Sequence, residues 1–221
     1  MKNILIVAPH ADDEILGCGG IMKRKSAEGD NVIVLIVTRG TPKMYSDDKV
    51  ANVRNEAKQS HKLLNVKDTF FLDFHAPELD ITSSAEIARG ISKIVKENSI
   101  DEMYIPHRGD IHSDHRVVAN ACYVAARPVN GCSVKSIYAY ETLSETEWAA
   151  PFGDDAFIPN HFVDITEFID FKLKAMECFK SQLREFPNSR SLECIESLAK
   201  FRGATIGVNR AEAFMIIRTI I

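Results

Sequence analysis

The sequence has no apolar run long enough to cross a bilayer; no window approaches the ~20 residues a spanning helix needs. Its first apolar stretch, Ile4 to Ala8, is short, and charged residues follow at once, unlike the longer run and cleavage site of a secretory signal. There is no C-x-x-C pair. Cys18, Cys122, Cys132, Cys178 and Cys194 are an odd number set far apart, which argues against a disulfide framework or structural zinc cluster. Reduced thiols in a cytoplasmic protein are the expectation. No basic block exceeds Lys23-Arg24-Lys25, and 27 Lys+Arg against 31 Asp+Glu leave a net charge of −4, so no nucleic-acid partner is expected. Internal repeats, low-complexity tracts and linkers are also missing. What is present is a 221-residue chain, 45% hydrophobic and 26% charged, which reads as one domain over residues 1–221 with a sizeable core. Its seven histidines need explaining.

Patterning predicts an α/β fold. Continuous apolar runs at Ile4–Ala8 and Asn31–Thr38 read as strands buried on both faces. Further strands are expected at Asp68–Leu72, Glu102–Ile105, Ser136–Glu141 and Ala213–Ile221. Helical spacing predicts helices at Glu14–Ala27, Val50–Leu64, Ser84–Glu97 and Asp114–Ala126, a long one over Ile165–Phe186, and a last one at Ser191–Arg202. Phe168, Phe171 and Phe179 recur at helical spacing and are read as core. This alternation implies a three-layer, Rossmann-like architecture, a mostly parallel twisted sheet with helices on both faces. Such sheets bind ligands beyond the carboxyl ends of their strands. The segments to read closely are therefore Pro9-His10-Ala11-Asp12-Asp13-Glu14, Thr38-Arg39-Gly40, Pro106 to His115, and Glu141-Thr142.

The first of these excludes a dinucleotide. A G-x-G-x-x-G turn would be needed there, but Gly17, Gly19 and Gly20 come too late. Three carboxylates stand where a pyrophosphate would sit, and a helix N-terminus keeps them ionised. Carboxylates beside a histidine make a cation site instead. His10 and Asp13 are spaced so that one short turn can aim both at a point, while Asp12 must project differently and is free to face a water. His112 and His115, with Asp114 between them, repeat that spacing beyond another strand. Two clusters meeting across the sheet would supply His, Asp and His with an open position, the way a catalytic zinc is held.

These motifs resemble those of the PIG-L/LmbE-like de-N-acetylases, which carry a P-H-P-D-D-E-like motif after the first strand and an H-x-D-H motif further on. Here they stand as Pro9-His10-Ala11-Asp12-Asp13-Glu14 and His112-Ser113-Asp114-His115. Ala11 replaces the usual proline, a position that ligates nothing. Arg54-Asn55-Glu56-Ala57 is similar to the family's arginine-bearing helix. Asn160–Ile165, Lys180-Ser181-Gln182, Phe201-Arg202-Gly203 and Ala211–Phe214 are similar to its C-terminal half. The resemblance implies His10, Asp13 and His115 as zinc ligands and Asp12 as general base. It implies that His112 stabilises the tetrahedral intermediate or protonates the leaving amine, and that Asp114 orients a histidine through its second ring nitrogen.

The expected activity is removal of an N-acetyl group from an amino sugar or its conjugate, the acetyl group resting on the resemblance alone. Arg54, His107 and Glu141 are the candidates for substrate contact, each with a plain alternative: a solvated helix face, support of a neighbouring side chain, a solvated carboxylate. Asp110 is a candidate support for a histidine. His61 reads as a packed histidine, and His75 and His161 as loop residues. The loop Gly40–Lys49 and the stretch Glu145–Asn160, with Trp148, Phe152 and Phe157, are expected to wall the pocket. Three alternatives stay open: hydrolysis of a different amide of an amino-sugar conjugate, an iron(II) site of the two-histidine, one-carboxylate type, and a non-catalytic metal- or sugar-binding protein. Similar proteins are often homo-oligomers, and this sequence leaves that state open.

Overall fold

The structure, a computed structural model, describes residues 1–221. Its elements run β1 (Asn3–Ala8), α1 (Asp13–Ala27), β2 (Asn31–Gly40), α2 (Asp47–Leu63), β3 (Asp68–Ala76), α3 (Ser84–Glu97), β4 (Glu102–Pro106), α4 (Ser113–Ala125), β5 (Ser136–Tyr140), β6 (His161–Asp164), α5 (Ile169–Glu177), α6 (Leu192–Ile206) and β7 (Ala211–Thr219). They build one sheet in the order β3-β2-β1-β4-β5-β7-β6. The first five strands in that order pair in parallel. β7 and β6 close the far side antiparallel. The fold is the expected α/β, Rossmann-like one. No helix is long and apolar enough to cross a membrane.

Alternation along each strand divides the core. Leu5, Val7, Ile33, Leu35 and Val37 point to one face, under Ile87 and Ile91 of α3 and Val118 and Cys122 of α4. Ile4, Ile6, Val32, Val34 and Ile36 point to the other, under Ile15 and Ile21 of α1, Ala57 of α2, Met176 of α5 and Ile195 of α6. Burial on both faces explains why β1 and β2 read as unbroken apolar runs.

The long helix expected over Ile165–Phe186 is not formed. The chain is in β6 until Asp164, whose Oδ1 accepts from the N–H and Oγ1 of Thr166 and turns it. α5 stops at Glu177 because Phe179 swings into the core and Glu56 of α2 accepts from both the N–H and Oγ of Ser181. Phe171 is not core: it is exposed, with the Lys23 ammonium 4.5 Å from its ring centroid. His75 and His161 lie in β3 and β6 rather than in loops; β6, four residues at a half-exposed edge, is too short to stand out by pattern.

α1 approaches the sheet where it has no side chains. A Cβ on Gly17 would lie 2.2 Å from Cδ2 of Tyr140, a fully buried ring whose hydroxyl donates to Val7 O. Gly→Ala inside a helix ordinarily stabilises by about 0.8–1.0 kcal/mol. Here the clash outweighs that gain, and Gly17→Ala is expected to destabilise by about 1–3 kcal/mol. A denaturation midpoint at or above the wild-type value would contradict this packing.

Candidate active site

β1 and β4 are parallel neighbours, so the loops that follow them emerge over the same edge. β1 also has β2 on its other side, which makes it the point where the strand order reverses. His10, Asp12 and Asp13 come from the first loop and the start of α1. His107, Asp110, His112, Asp114 and His115 come from the second loop and the start of α4.

Asp13 is the hub. Its Oδ2 accepts the His10 backbone N–H at 2.8 Å and lies 3.3 Å from His10 Nδ1 and 3.2 Å from His115 Nε2. The opposite ring nitrogens are occupied: His10 Nε2 donates to Asp114 Oδ2 at 3.0 Å, and His115 Nδ1 to Asp110 Oδ2 at 2.8 Å. A carboxylate only accepts, so in the neutral rings these bonds put the hydrogen on the far nitrogen. The lone pairs of His10 Nδ1 and His115 Nε2 then face Asp13. The two supporting carboxylates are themselves held, Asp110 by Thr146 Oγ1 at 2.6 Å and Asp114 by the Leu79 N–H at 3.1 Å.

Burial and close pairing shift all three groups. Burial alone would raise the Asp13 pKa, but His115 and His10 outweigh it and hold the carboxyl well below its ordinary range. Burial likewise works against charge on His10, yet its bonds to Asp114 and Asp13 raise it to about 9. His115 is raised well above normal by Asp13 and Asp110 against the same burial. A carboxylate held ionised between two imidazoles becomes a cation site when the rings give up their second protons, as metal binding requires. His115 Nε2 is buried with no hydrogen-bond partner, and one donor atom each from His10, Asp13 and His115 lies within 4.8 Å of the others. Bonds of 2.0–2.2 Å to a tetrahedral zinc set neighbouring donors about 3.3 Å apart, close to the 3.3 and 3.2 Å observed around Asp13. Two imidazoles and a carboxylate fit zinc, and iron(II) as well. A second trio, His10, His112 and Asp114, also clusters. There His10 Nε2 and Asp114 Oδ2 are already committed to each other.

Asp12 stands beside this centre in an unusual backbone state, φ 123° and ψ −26°, which side chains avoid and which typically costs about 1–3 kcal/mol. Its carboxyl is buried, and Oδ2 has no hydrogen-bond partner; the nearest cation is Arg190, with Nη1 3.8 Å away. Burial and the adjacent Asp13 charge raise its pKa, against Arg190. His112 caps α4, and its Nδ1 accepts the Asp114 N–H at 3.1 Å, so the neutral ring carries its hydrogen on Nε2. Burial and then His10 lower its pKa to about 4, which favours that neutral ring. Its centroid is 4.6 Å from that of His10.

The three expected substrate contacts have partners within the protein. Both Glu141 oxygens accept from Arg202, at 2.8 and 2.6 Å. Buried His107 donates through Nε2 to Asp155 O and packs edge-on against Phe157, so it pins the wall after β5. Arg54 donates to Asp73 of β3 at 2.5 Å and lies over Phe71. Two charged neighbours complete the site: Arg190 was not anticipated, and Glu145 was expected only as the first residue of the pocket wall. Arg190 is anchored by Ser144 Oγ and Gln182 Oε1, and Glu145 lies 3.6 Å from it, buried enough to raise its carboxyl to about 7. Both come from irregular segments with no motif around them; only their positions in space mark them.

Comparison with known proteins adds the family. Residues 5–126 match PIG-L, described as GlcNAc-PI de-N-acetylase. A diacetylchitobiose deacetylase of Thermococcus kodakarensis is 26% identical over 98% of this chain and 84% of its own. A Bacillus cereus protein named "Probable N-acetyl-alpha-D-glucosaminyl L-malate deacetylase 2" is 25% identical over 82% of this chain and 84% of its own. Among solved structures, the N,N'-diacetylchitobiose deacetylase of Pyrococcus horikoshii superposes with a TM-score of 0.79 at 26% identity, covering 98% of this chain and 84% of that one. With both histidine–aspartate clusters inside the matched segment, and that segment more than half its length, the chain belongs to the PIG-L family.

Proposed function

We propose that this chain is a metal-dependent hydrolase that removes the acetyl group from an N-acetylated amino sugar or a conjugate of one, residues 1–221 acting as one unit around one site. The deacetylase names of its relatives support the acyl group, and chitobiose and glucosaminyl malate in those names support the amino sugar. The observation that carries the chemistry is the juxtaposition of three converging donors, His10, Asp13 and His115, with the unpartnered carboxylate of Asp12. We propose zinc as the ion, with iron(II) as the alternative. When bound, such an ion polarises the amide carbonyl and makes a water nucleophilic near neutral pH.

The remaining steps belong to the protein. Asp12 Oδ2, unsatisfied and beside the donors, takes the proton of the attacking water. His112 donates from Nε2 to the oxygen that gains charge in the tetrahedral intermediate. The leaving nitrogen needs a proton, and Asp12, having accepted one, returns it. Asp114 and Asp110 keep the two ligating rings in register. Trp148 and Phe152, exposed just beyond the Thr146 that braces Asp110, offer apolar faces to a sugar ring, and Arg54 with Asp73 offers polar contacts to its hydroxyls. A cytoplasmic setting accords with five unpaired cysteines.

Acetate release from a panel of N-acetylated amino sugars tests this reading. Chelation is expected to abolish release and one equivalent of zinc to restore it, with iron(II) compared under anaerobic conditions. Acetate release that persists in metal-free protein would sink the proposal.

A further inference from the structure

The carboxylate of Asp12 has to be aimed, yet its Oδ2 has no hydrogen-bond partner to aim it. Its direction therefore comes from its backbone, which sits at φ 123°. Two groups of bonds fix that state. On the far side, the N–H groups of Ile15 and Leu16 both donate to Asp12 O, at 3.0 and 2.9 Å, and hold the following peptide plane. On the near side, the Asp12 N–H donates to Glu14 Oε2 at 3.0 Å, which holds the preceding plane. With both planes held, φ, ψ and the Cα–Cβ direction are determined.

Glu14 is in turn not free. Its other oxygen, Oε1, accepts from His61 Nε2 at 3.0 Å, and His61 Nδ1 pairs with Thr69 Oγ1 at 2.8 Å. Glu14 and His61 are both buried. A carboxylate at Glu14 requires the His61 hydrogen on Nε2, which leaves Nδ1 to accept the Thr69 hydroxyl. The result is an unbroken polar path from β3, through α2, to the amide of Asp12.

We propose that His61 is a positioning residue for the reaction: through Glu14 it holds the strained Asp12 peptide so that the carboxylate points at the metal centre. This rests on the reading of Asp12 as the base. Neither His61 nor Thr69 adjoins the metal donors, and Asp13 is held separately by the His10 N–H, so the effect should fall on the base and not on the ion.

His61→Leu keeps the bulk and removes both polar atoms. It is expected to lower kcat by roughly 10- to 100-fold, the range in which small misplacements of a reacting group fall. KM for the acetylated sugar and zinc affinity should both stay within about threefold, because His61 touches neither donors nor substrate. His61→Gln, which can still offer a donor to Glu14, should recover most of kcat, and it covers the case in which the leucine variant folds poorly. In zinc-loaded protein, the Asp12 amide should exchange with solvent faster in His61→Leu than in wild type, a readout independent of turnover. Asp12→Ala is run alongside. If Asp12→Ala stays active, the reading of the base has failed. If Asp12→Ala is inactive while His61→Leu keeps wild-type kcat and amide protection, the positioning role has failed. A loss in His61→Leu that appears in zinc affinity instead of kcat would also overturn it.

Discussion

Asp12→Ala should lose roughly 10²- to 10⁴-fold in kcat/KM, the range for removal of a general base, while still binding one equivalent of zinc. The retained metal is the informative half, because His10, Asp13 and His115 keep their positions without the Asp12 carboxylate. Asp12→Asn should be as inactive, since an amide accepts no proton at neutral pH. Asp12→Gly separates strain from charge. Glycine adopts φ 123° readily, and the variant also removes a carboxylate next to Asp13. It should be inactive yet more stable than wild type by about 1–3 kcal/mol, the amount typically stored in such a backbone. Calorimetry on metal-loaded protein, together with acetate release, would decide it. An Asp12→Gly protein less stable than wild type would show that the backbone state carries no strain.

Lys172→Met should have the largest effect on stability. Lys172 and Glu212 are both buried, and Nζ to Oε1 is 2.6 Å. Lys172 also donates to Leu16 O, while Glu212 accepts the N–H groups of Gly20 and Ile21, so the pair is set into the flank of α1. Removing the lysine strands a buried carboxylate, which costs about 3–5 kcal/mol, a large share of the 5–15 kcal/mol typical of a folded domain. Replacing both partners, Lys172→Met with Glu212→Leu, should recover part of that loss, since no charge is then stranded. Urea denaturation of the single and double variants measures both. If the double variant is weaker than the single by the full effect of a second independent loss, the two charges do not act as a pair.

How much of this was legible beforehand follows from what each residue answers to. The unbroken apolar runs at Ile4–Ala8 and Asn31–Thr38 showed the parallel core directly, because burial on both faces leaves no other composition. His10, Asp13, His112 and His115 stood out because short turns after adjacent strands must bring close-spaced donors together. The helix expected to continue to Phe186 failed for a reason outside its own sequence: Glu56, more than a hundred residues earlier, captures Ser181. Arg190 was invisible for the same kind of reason, since it reaches Asp12 from an irregular segment remote in the chain. His61 looked like a packed histidine by periodicity and is buried, but periodicity carries no information about Glu14 or Thr69. Patterns report which face a residue takes, not which polar atom it meets there.

The strand order has a kinetic consequence. β1 occupies the middle of the parallel sheet, yet its two neighbours are made at different times, β2 directly after α1 and β4 only after α2, β3 and α3. The pairing of Ile4, Leu5 and Ile6 with Glu102, Met103 and Tyr104 spans most of the first half of the chain. Such distant pairings must be won against the entropy of closing a long loop, and they form slowly. The two histidine–aspartate clusters are therefore strangers during early folding. The chain up to β3 carries two of the three donors, His10 and Asp13, with the β1 edge that β4 will pair still open. The metal centre is therefore only as complete as the β1–β4 pairing, which carries His112 and His115 across to His10.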